Sequence, residues 1–142
     1  MDKKNVEIVP AILKKTYEAI EHDWELVKDA ARHIQLDITD GIFAGNGTFR
    51  EVRRFKQLNE SEKAELHMMV INPAFYLQDI IDLAPARCIF HLEAFVGSGD
   101  IKLVYSKLRE NTQTELALAL NPQSPNERLD EYISLIDYVL FM

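Results

Sequence analysis

Apolar residues follow two patterns along this chain, short continuous runs and a spacing of three or four positions. The change from one pattern to the other marks the boundaries of the predicted elements. Short runs rich in valine, isoleucine, leucine and phenylalanine have the length and residue types of buried strands. Several of these runs stop at asparagine, proline or glycine, which favour turns. The predicted strands cover residues 6–13, 33–38, 64–71, 87–95, 115–120 and 137–142.

Between these runs, apolar residues recur every three or four positions, which is the spacing of one face of a helix. Asn72-Pro73 predicts a helix start, because asparagine caps helices and proline is pre-set for the first helical position. Asn126 predicts a second capped start. The predicted helices cover residues 16–30, 52–58, 72–83, 101–111 and 126–136.

The alternation of strands and helices predicts an α/β protein with a parallel sheet and right-handed helical crossovers. A length of 142 residues predicts one domain. A doubly wound open sheet and part of a (β/α) barrel both satisfy this pattern. Periodicity alone does not choose between them.

Charge and cysteine content narrow the possible partners and compartments. A net charge of −7 argues against nucleic acid or an anionic membrane as a partner, since both require a basic face. The single cysteine, Cys88, excludes an internal disulfide and fits a reducing compartment. No apolar run approaches the roughly 20 residues that span a bilayer, and the amino terminus leads into a strand rather than a signal-peptide core. We therefore expect a cytoplasmic protein.

Acidic and imidazole side chains stand at the ends of the predicted strands. Asp37 and Asp40 close the second strand, just before a loop that contains three glycines. His67 lies in the third strand, and His91 and Glu93 lie in the fourth. Because the carboxyl ends of parallel strands open on one side, where barrel enzymes place their chemistry, these groups are expected to meet there. Asp40 is expected to cap the glycine-containing loop through its side chain.

Four ordered motifs at these strand ends, together with the two ends of the chain, resemble the ribulose-phosphate 3-epimerase family. The resemblance covers nearly the whole chain. The motifs are IQLDITDGIF at 34–43, LHMMV at 66–70, FHLEA at 90–94 and LALNP at 118–122, and the flanking stretches are IVPAIL at 8–13 and VLFM at 139–142.

The family is a (β/α)₈ barrel that interconverts ribulose 5-phosphate and xylulose 5-phosphate by inverting C3. The resemblance implies a 2,3-enediolate stabilised by a divalent metal of zinc, iron or manganese type, with one acid/base aspartate on each face. Carried over to this chain, Asp37 is a catalytic residue and a metal ligand, and His67 is a metal ligand. The substrate-binding residues that the resemblance implies are Met69, Met142 and Asn121.

The chain departs from the family pattern at several of these positions. Gln35 stands where the family has a metal-binding histidine, and an amide oxygen is a poor ligand for zinc-like ions. Thr39 replaces a methionine of the lid, Ala11 a serine that contacts the substrate, and Ile42 a histidine. The sequence also stops after the sixth strand, which leaves the second aspartate, the fourth metal ligand and the phosphate loops without counterparts. We therefore expect an epimerase homologue with impaired activity.

The expected fold is an incomplete TIM-type barrel of six parallel strands and five intervening helices, forming a single partial domain over residues 1–142. The unpaired edges of its first and sixth strands leave three outcomes open: a homodimer or higher oligomer, a rearranged six-strand sheet, or a partner polypeptide that supplies the missing units. Of these, self-association as a homodimer or higher oligomer is favoured. Two functions stay open. One is a sugar-phosphate isomerase whose missing acid comes across an oligomer interface, and the other is a catalytically inactive, self-associating binding or assembly module.

Overall fold

A computed structural model describes residues 6–95 and 101–142 and contains one six-stranded parallel sheet. The parallel sheet is the one that the alternation of elements predicted. The spatial order of the strands follows the chain, which is the order of a (β/α) barrel and not of a doubly wound sheet. The first strand is much shorter than predicted, because Pro10 has no N–H to give to a ladder and the strand begins just after it. The strands are β1 (Ala11–Ile12), β2 (Ile34–Thr39), β3 (Ala64–Met69), β4 (Arg87–His91), β5 (Glu115–Leu120) and β6 (Tyr138–Phe141).

Every crossover contains helical turns, and three of the crossovers contain an α-helix: α1 (Tyr17–Val27), α2 (Leu77–Leu83) and α3 (Ile101–Asn111). Thr16 caps α1, since its hydroxyl accepts a hydrogen bond from the N–H of Ala19 at 3.3 Å. The bounds of α3 are those that the apolar spacing predicted. In the part of the chain that the structure describes, none of the helices has the length and apolar character needed to cross a bilayer.

The helices predicted over 52–58 and 126–136 are corrected by the structure, which has 3₁₀ turns there. In the first stretch, Val52 and Phe55 are both fully buried. A spacing of three places two residues on the same face of a 3₁₀ helix, which has three residues per turn, so the apolar pattern is satisfied without an α-helix. The turns in these two stretches are Val52–Gln57, Asn126–Leu129 and Ile133–Leu135, and a further 3₁₀ turn, Ser61–Lys63, precedes β3.

The two predicted asparagine caps are also corrected. Asn72 makes no side-chain capping bond, and the chain passes through the 3₁₀ turn Pro73–Tyr76 before α2 begins. The second cap position is held by Pro125, just before Asn126, again without a side-chain bond. Proline still acts as predicted after Asn72, where it occupies the start of the helical turn.

The fourth strand ends earlier than predicted. β4 stops at His91, and Leu92–Phe95 forms a 3₁₀ turn, so Glu93 leaves the ladder. The backbone is thereby free to turn the Glu93 carboxylate towards the loop after β5. The predicted glycine-containing end of this strand, at 97–99, lies outside the described residues.

The helix-covered face of the sheet carries the main apolar core. Strand residues such as Leu36, Leu66 and Phe90 are fully buried there. Trp24 of α1 is also fully buried, and its indole N–H donates to the carbonyl oxygen of Asn59 at 2.8 Å. Because each large apolar side chain contributes about 1.5–3 kcal/mol when it leaves water, this layer is what holds the helices against the sheet.

The opposite face of the sheet, here called the inner face, has a small apolar cluster. Ile89, Ala117 and Ala119 are buried in it, with Tyr138 and Leu140 partly buried beside them. Within residues 6–95 and 101–142, no pairing joins β6 to β1, so the sheet is not closed. The fold is therefore an incomplete TIM-type barrel, as expected.

A charged cluster ties the amino ends of the strands together. The guanidinium of Arg87 lies 2.9 Å from Glu115 and 3.4 Å from both Glu65 and Glu7. The Tyr138 hydroxyl donates to the buried Glu65 carboxylate at 3.3 Å. A buried charge needs such partners, and this end of a barrel serves stability rather than chemistry.

Candidate active site

A continuous chain of polar side chains runs across the carboxyl ends of β2, β3 and β4. Nε2 of Gln35 donates to Oδ1 of Asp37 at 2.7 Å, and Nδ1 of His67 lies 2.9 Å from the same oxygen. His67 and His91 meet through their Nε2 atoms at 2.9 Å, with rings stacked 5.1 Å apart. The register of the sheet pairs Asp37 directly with His67. The prediction that these strand ends meet is confirmed.

The geometry determines where the hydrogens lie when both imidazoles are neutral. A carboxylate can only accept, so Nδ1 of His67 carries the hydrogen and its Nε2 keeps a lone pair. The Nε2–H of His91 must then donate to His67, which leaves Nδ1 of His91 without a hydrogen. Burial, assisted by His67, lowers the pKa of His91 to about 4, against the opposite effects of Glu93 and Asn121. His91 is therefore neutral at pH 7.

Glu93 lies at the far end of this chain of polar groups. Its Oε1 accepts hydrogen bonds from the backbone N–H of Asn121 at 3.0 Å and from the hydroxyl of Ser124. Burial raises the pKa of Glu93, but these bonds outweigh burial and hold the pKa below its ordinary value. Its Oε2 lies 3.7 Å from Nδ1 of His91, and neither of these buried atoms has a hydrogen-bond partner among residues 6–95 and 101–142. Two acceptors that face each other account for this separation.

Asp40 organises the loop that follows β2. Its Oδ1 accepts the N–H groups of Ile42 and Phe43, and its Oδ2 accepts the N–H of Ile71, all at 2.8 Å. Burial raises the pKa of Asp40, but the three N–H groups outweigh burial and hold the pKa below its ordinary value. The expected role of Asp40 as a loop cap is confirmed, and the carboxylate also ties this loop to the end of β3.

Thr39 and Thr48 close the base of the same loop. The N–H of Thr39 donates to the Thr48 hydroxyl at 2.9 Å, and the N–H of Thr48 donates to the Thr39 carbonyl at 3.0 Å. The Thr39 hydroxyl lies 2.8 and 2.9 Å from the carbonyl oxygens of Ala44 and Asn46. Thr39, 5% exposed, is thus a loop anchor.

A cavity of about 370 Å³ lies between this loop and the strand ends. Small-molecule sites have volumes of roughly 300–1,000 Å³, so this cavity is at the lower end of that range. Oδ2 of Asp37 makes no hydrogen bond with any residue in the described parts of the chain, which leaves this oxygen available to a ligand. The lining residues are Leu13, Asp37, Thr39, Ala44, Gly45, Asn46 and Met69.

The three residues predicted to bind substrate all lie at the carboxyl ends of strands. Met69 ends β3 and lines the cavity. Asn121 follows β5, where its backbone N–H is bonded to Glu93. Met142 follows β6 and is 56% exposed. The substrate contacts of these residues stay a prediction.

Two residues of the site were not predicted from the sequence. Thr48 bonds to the backbone of both Asp37 and Thr39, and Ser124 bonds to Glu93. The only signal in the sequence was their position, since each lies in a loop that follows a strand. A hydroxyl residue in such a loop is common, and only the folded geometry shows its partner.

Together, the fold and the site define a class of protein: an incomplete TIM-type α/β barrel with acidic and imidazole side chains at the carboxyl ends of its strands. The chain matches the Ribulose-phosphate 3 epimerase family over residues 7–142. Because this match covers nearly all of its length, the chain belongs to that family, and the resemblance of its four motifs is confirmed.

The relatives that the chain matches are longer proteins. The ribulose-phosphate 3-epimerase of Treponema pallidum (strain Nichols) is 25% identical over 142 residues, which cover 99% of this chain and 63% of that protein. The enzyme of Chlamydia trachomatis serovar D is 26% identical, covering 100% and 60%. That of Chlamydia pneumoniae is 31% identical, covering 77% and 46%. The chain therefore spans about 60% of the length of the first curated relatives it matches.

The family's divalent metal does not fit the donor groups found here. The predicted ligands Asp37 and His67 do lie together, but they are hydrogen-bonded to each other. Gln35 presents an N–H rather than a lone pair to the same carboxylate. Across residues 6–95 and 101–142, no three His, Cys, Asp or Glu side chains are grouped so that they could hold a metal ion.

Proposed function

We propose that this chain acts on a ketose phosphate and that Asp37 removes the proton from C3. The observation that carries the proposal is the state of the Asp37 carboxylate. Two N–H donors fix its Oδ1, while its Oδ2 makes no bond to the described residues, and the residue lines the cavity of about 370 Å³. A base held in one orientation beside a bound substrate is what proton abstraction requires. Family membership and the names of the relatives support a ribulose phosphate as the substrate, and we propose ribulose 5-phosphate.

The proposed step is a reversible proton transfer. Oδ2 of Asp37 takes the C3 proton, the electrons of the C3–H bond form the C2=C3 double bond, and the negative charge moves to the C2 oxygen. Return of a proton from Oδ2 to C3 restores the ketose with its original configuration. While the carboxyl group is protonated, its proton exchanges with water, so the returned proton comes from solvent.

Inversion also requires an acid on the other face of the enediolate. Neither of the two other carboxylates near this site is available: Asp40 accepts three backbone N–H bonds, and the remaining oxygen of Glu93, Oε2, is buried beside His91 and does not line the cavity. We therefore propose that the 142-residue chain exchanges the C3 proton with solvent but inverts the configuration at C3 only poorly.

The test is to incubate the chain with ribulose 5-phosphate in D₂O and to follow C3 by NMR. We expect deuterium to enter C3 with little formation of xylulose 5-phosphate. Asp37→Asn removes the base and should lower the exchange rate at least about 100-fold, in line with the usual contribution of a general base. Asp130→Asn changes an exposed carboxylate that does not line the cavity and should leave the rate unchanged.

Two results would contradict this proposal in different ways. Rapid formation of xylulose 5-phosphate would show that a second acid operates and that inversion is intact. Complete absence of exchange, with Asp37→Asn indistinguishable from the unaltered chain, would exclude the proton transfer itself.

The lone Cys88 supports a reducing location, and we place this activity in the cytoplasm.

A second candidate function, self-association, is favoured by the open sheet. Exposed apolar side chains flank both unpaired edges: Val6, Ile8 and Leu13 beside β1, and Phe141 and Met142 at β6. An open edge with apolar neighbours favours pairing with another chain. We propose a homodimer or higher oligomer that covers these edges and the inner face.

Light scattering after size-exclusion chromatography measures this association. We expect at least twice the 16.4 kDa mass of one chain at micromolar concentration. Phe141→Lys should shift the chain towards monomer, because a charge would be buried at the edge. Phe75→Lys alters an even more exposed aromatic residue, 81% against 63% for Phe141, that lies away from both edges, and this change should have no effect. A monomeric unaltered chain would refute the proposal.

A further inference from the structure

One carboxylate oxygen of the candidate site, Oδ1 of Asp37, accepts two hydrogen bonds. These two donors lie where a bound cation would otherwise balance the negative charge of the carboxylate. Oδ1 of Asp37 lies 2.7 Å from Nε2 of Gln35 and 2.9 Å from Nδ1 of His67. Both distances are those of hydrogen bonds to a charged acceptor. The carboxylate is 17% exposed and His67 is 4% exposed, so little water competes for these bonds.

The imidazole of His67 has no lone pair available for a metal ion. A metal binds a neutral imidazole through a nitrogen that carries no hydrogen. Nδ1 of His67 carries its hydrogen towards Asp37, and the lone pair on Nε2 accepts the Nε2–H of His91 at 2.9 Å. Both nitrogens are engaged, and β3 and β4 pair side by side and hold the two rings stacked.

The chemistry of the Asp37 carboxylate determines whether the amide of Gln35 presents its nitrogen or its oxygen to Oδ1 of Asp37. Turning the amide over would place its Oε1 2.7 Å from Oδ1 of Asp37, so two acceptors would face each other without a hydrogen between them. The N–H must therefore point at the carboxylate. A metal ion bound at this place would need the opposite orientation, with the carbonyl oxygen forward.

We propose that the amide of Gln35 and the imidazole of His67 hold the Asp37 carboxylate in place of a metal ion, and that residue 35 is the switch between the two arrangements. Gln35→His replaces the N–H donor with a group that can offer a nitrogen lone pair to a cation beside Asp37. Nδ1 of His67 can then give its lone pair to the same ion if the hydrogens shift along the chain: His67 carries its hydrogen on Nε2 and donates it to Nε2 of His91, and His91 carries its own on Nδ1, beside Glu93. This gives an Asp/His/His ligand set of the kind that holds zinc and related ions. This inference concerns the resting site and does not rest on the proposed reaction.

The test is to titrate the 142-residue chain with Co²⁺, followed by its visible absorption, and with Zn²⁺, followed by calorimetry. We expect no one-to-one binding by the unaltered chain and one equivalent bound by Gln35→His, at least about 100-fold more tightly, because metal affinity falls 10–100-fold even when only a supporting residue is lost. The double variant Gln35→His/Asp37→Asn should lose this binding. His22→Ala in the Gln35→His background removes an exposed histidine and should leave the binding unchanged.

Three results would overturn the proposal. One equivalent of metal bound by the unaltered chain and lost in Asp37→Asn would show that Gln35 does not displace the ion. A folded Gln35→His variant that binds no metal would show that residue 35 is not the switch. If Gln35→His does not fold, ¹⁵N NMR of the unaltered chain decides, since the proposal requires that His67 carry its hydrogen on Nδ1 and that added metal leave this signal unchanged.

Discussion

The carboxylate of Asp40 should contribute more to stability than any other single polar group of the loop after β2. It accepts three backbone N–H bonds at 2.8 Å, from Ile42, Phe43 and Ile71. In Asp40→Asn, one oxygen can still accept, but the new NH₂ group faces the N–H of Ile71 and removes that bond. Hydrogen bonds to charged groups contribute about 1.5–3 kcal/mol each, so we expect a loss of about 2–3 kcal/mol of unfolding free energy at pH 7.

The pH dependence of this loss follows from the direction of the pKa shift. Because the folded state holds the pKa of Asp40 below its unfolded value, the stabilisation is complete above about pH 4, near the unfolded pKa. It is then lost as the pH falls through the folded pKa. The difference between the unaltered chain and Asp40→Asn should therefore be largest near neutral pH and shrink towards pH 2.

Urea unfolding followed by far-ultraviolet circular dichroism, repeated from pH 7 to pH 2, measures both quantities. Asp130→Asn is the matched control, since it removes an exposed carboxylate with the same change of atoms. If Asp40→Asn proves as stable as this control at pH 7, the three N–H bonds do not stabilise the fold. A difference that does not change with pH would show that the charge of Asp40 is not responsible.

Other positions give separate expectations for urea unfolding and thiol chemistry. Gly41→Ala should lower the free energy of unfolding by about 2 kcal/mol, since Gly41 has φ +76° and an added Cβ would lie 3.0 Å from a backbone nitrogen. Gly45→Ala should lower it by about 1 kcal/mol, because Gly45 has φ +50° but open space around the added Cβ. Equal losses in the two variants would contradict this reasoning. Phe55→Ala should cost about 3–5 kcal/mol because Phe55 is fully buried, whereas Phe75→Ala at an 81% exposed position should cost little. Cys88 is fully buried and burial raises its pKa, so a thiol reagent should modify it only as fast as the chain unfolds, and rapid labelling of the native chain would contradict its burial.

The elements that the sequence predicted best are those whose pattern is local. Ile101, Val104 and Leu108 recur at helical spacing, and α3 has the predicted bounds. β5 also has its predicted bounds, because the five apolar residues that follow Glu115 and end before Asn121 suit a buried strand. The stretch 126–136 satisfies the same helical spacing with 3₁₀ turns, since spacings of three and four residues are hard to distinguish over so short a segment.

For the candidate site, the sequence predicted the residue types and their meeting point but not their partners. Asp37, His67 and His91 were expected at one end of the sheet because parallel strands bring their carboxyl ends together. Whether His67 binds a cation or bonds to His91 depends on the orientation of side chains that lie 24 to 30 residues apart in the chain. The orientation of the Gln35 amide is likewise determined only by the folded structure, which places the Asp37 carboxylate beside it.

The strictly sequential order of the strands has a consequence for how this chain reaches its fold. Every strand pairs only with the strands immediately before and after it in the chain. A segment leaving the ribosome can therefore dock on the strand that emerged before it, without waiting for a distant partner. The sheet can therefore be assembled one strand at a time from the amino terminus, and the strand added last has the unpaired edge on which the next strand pairs.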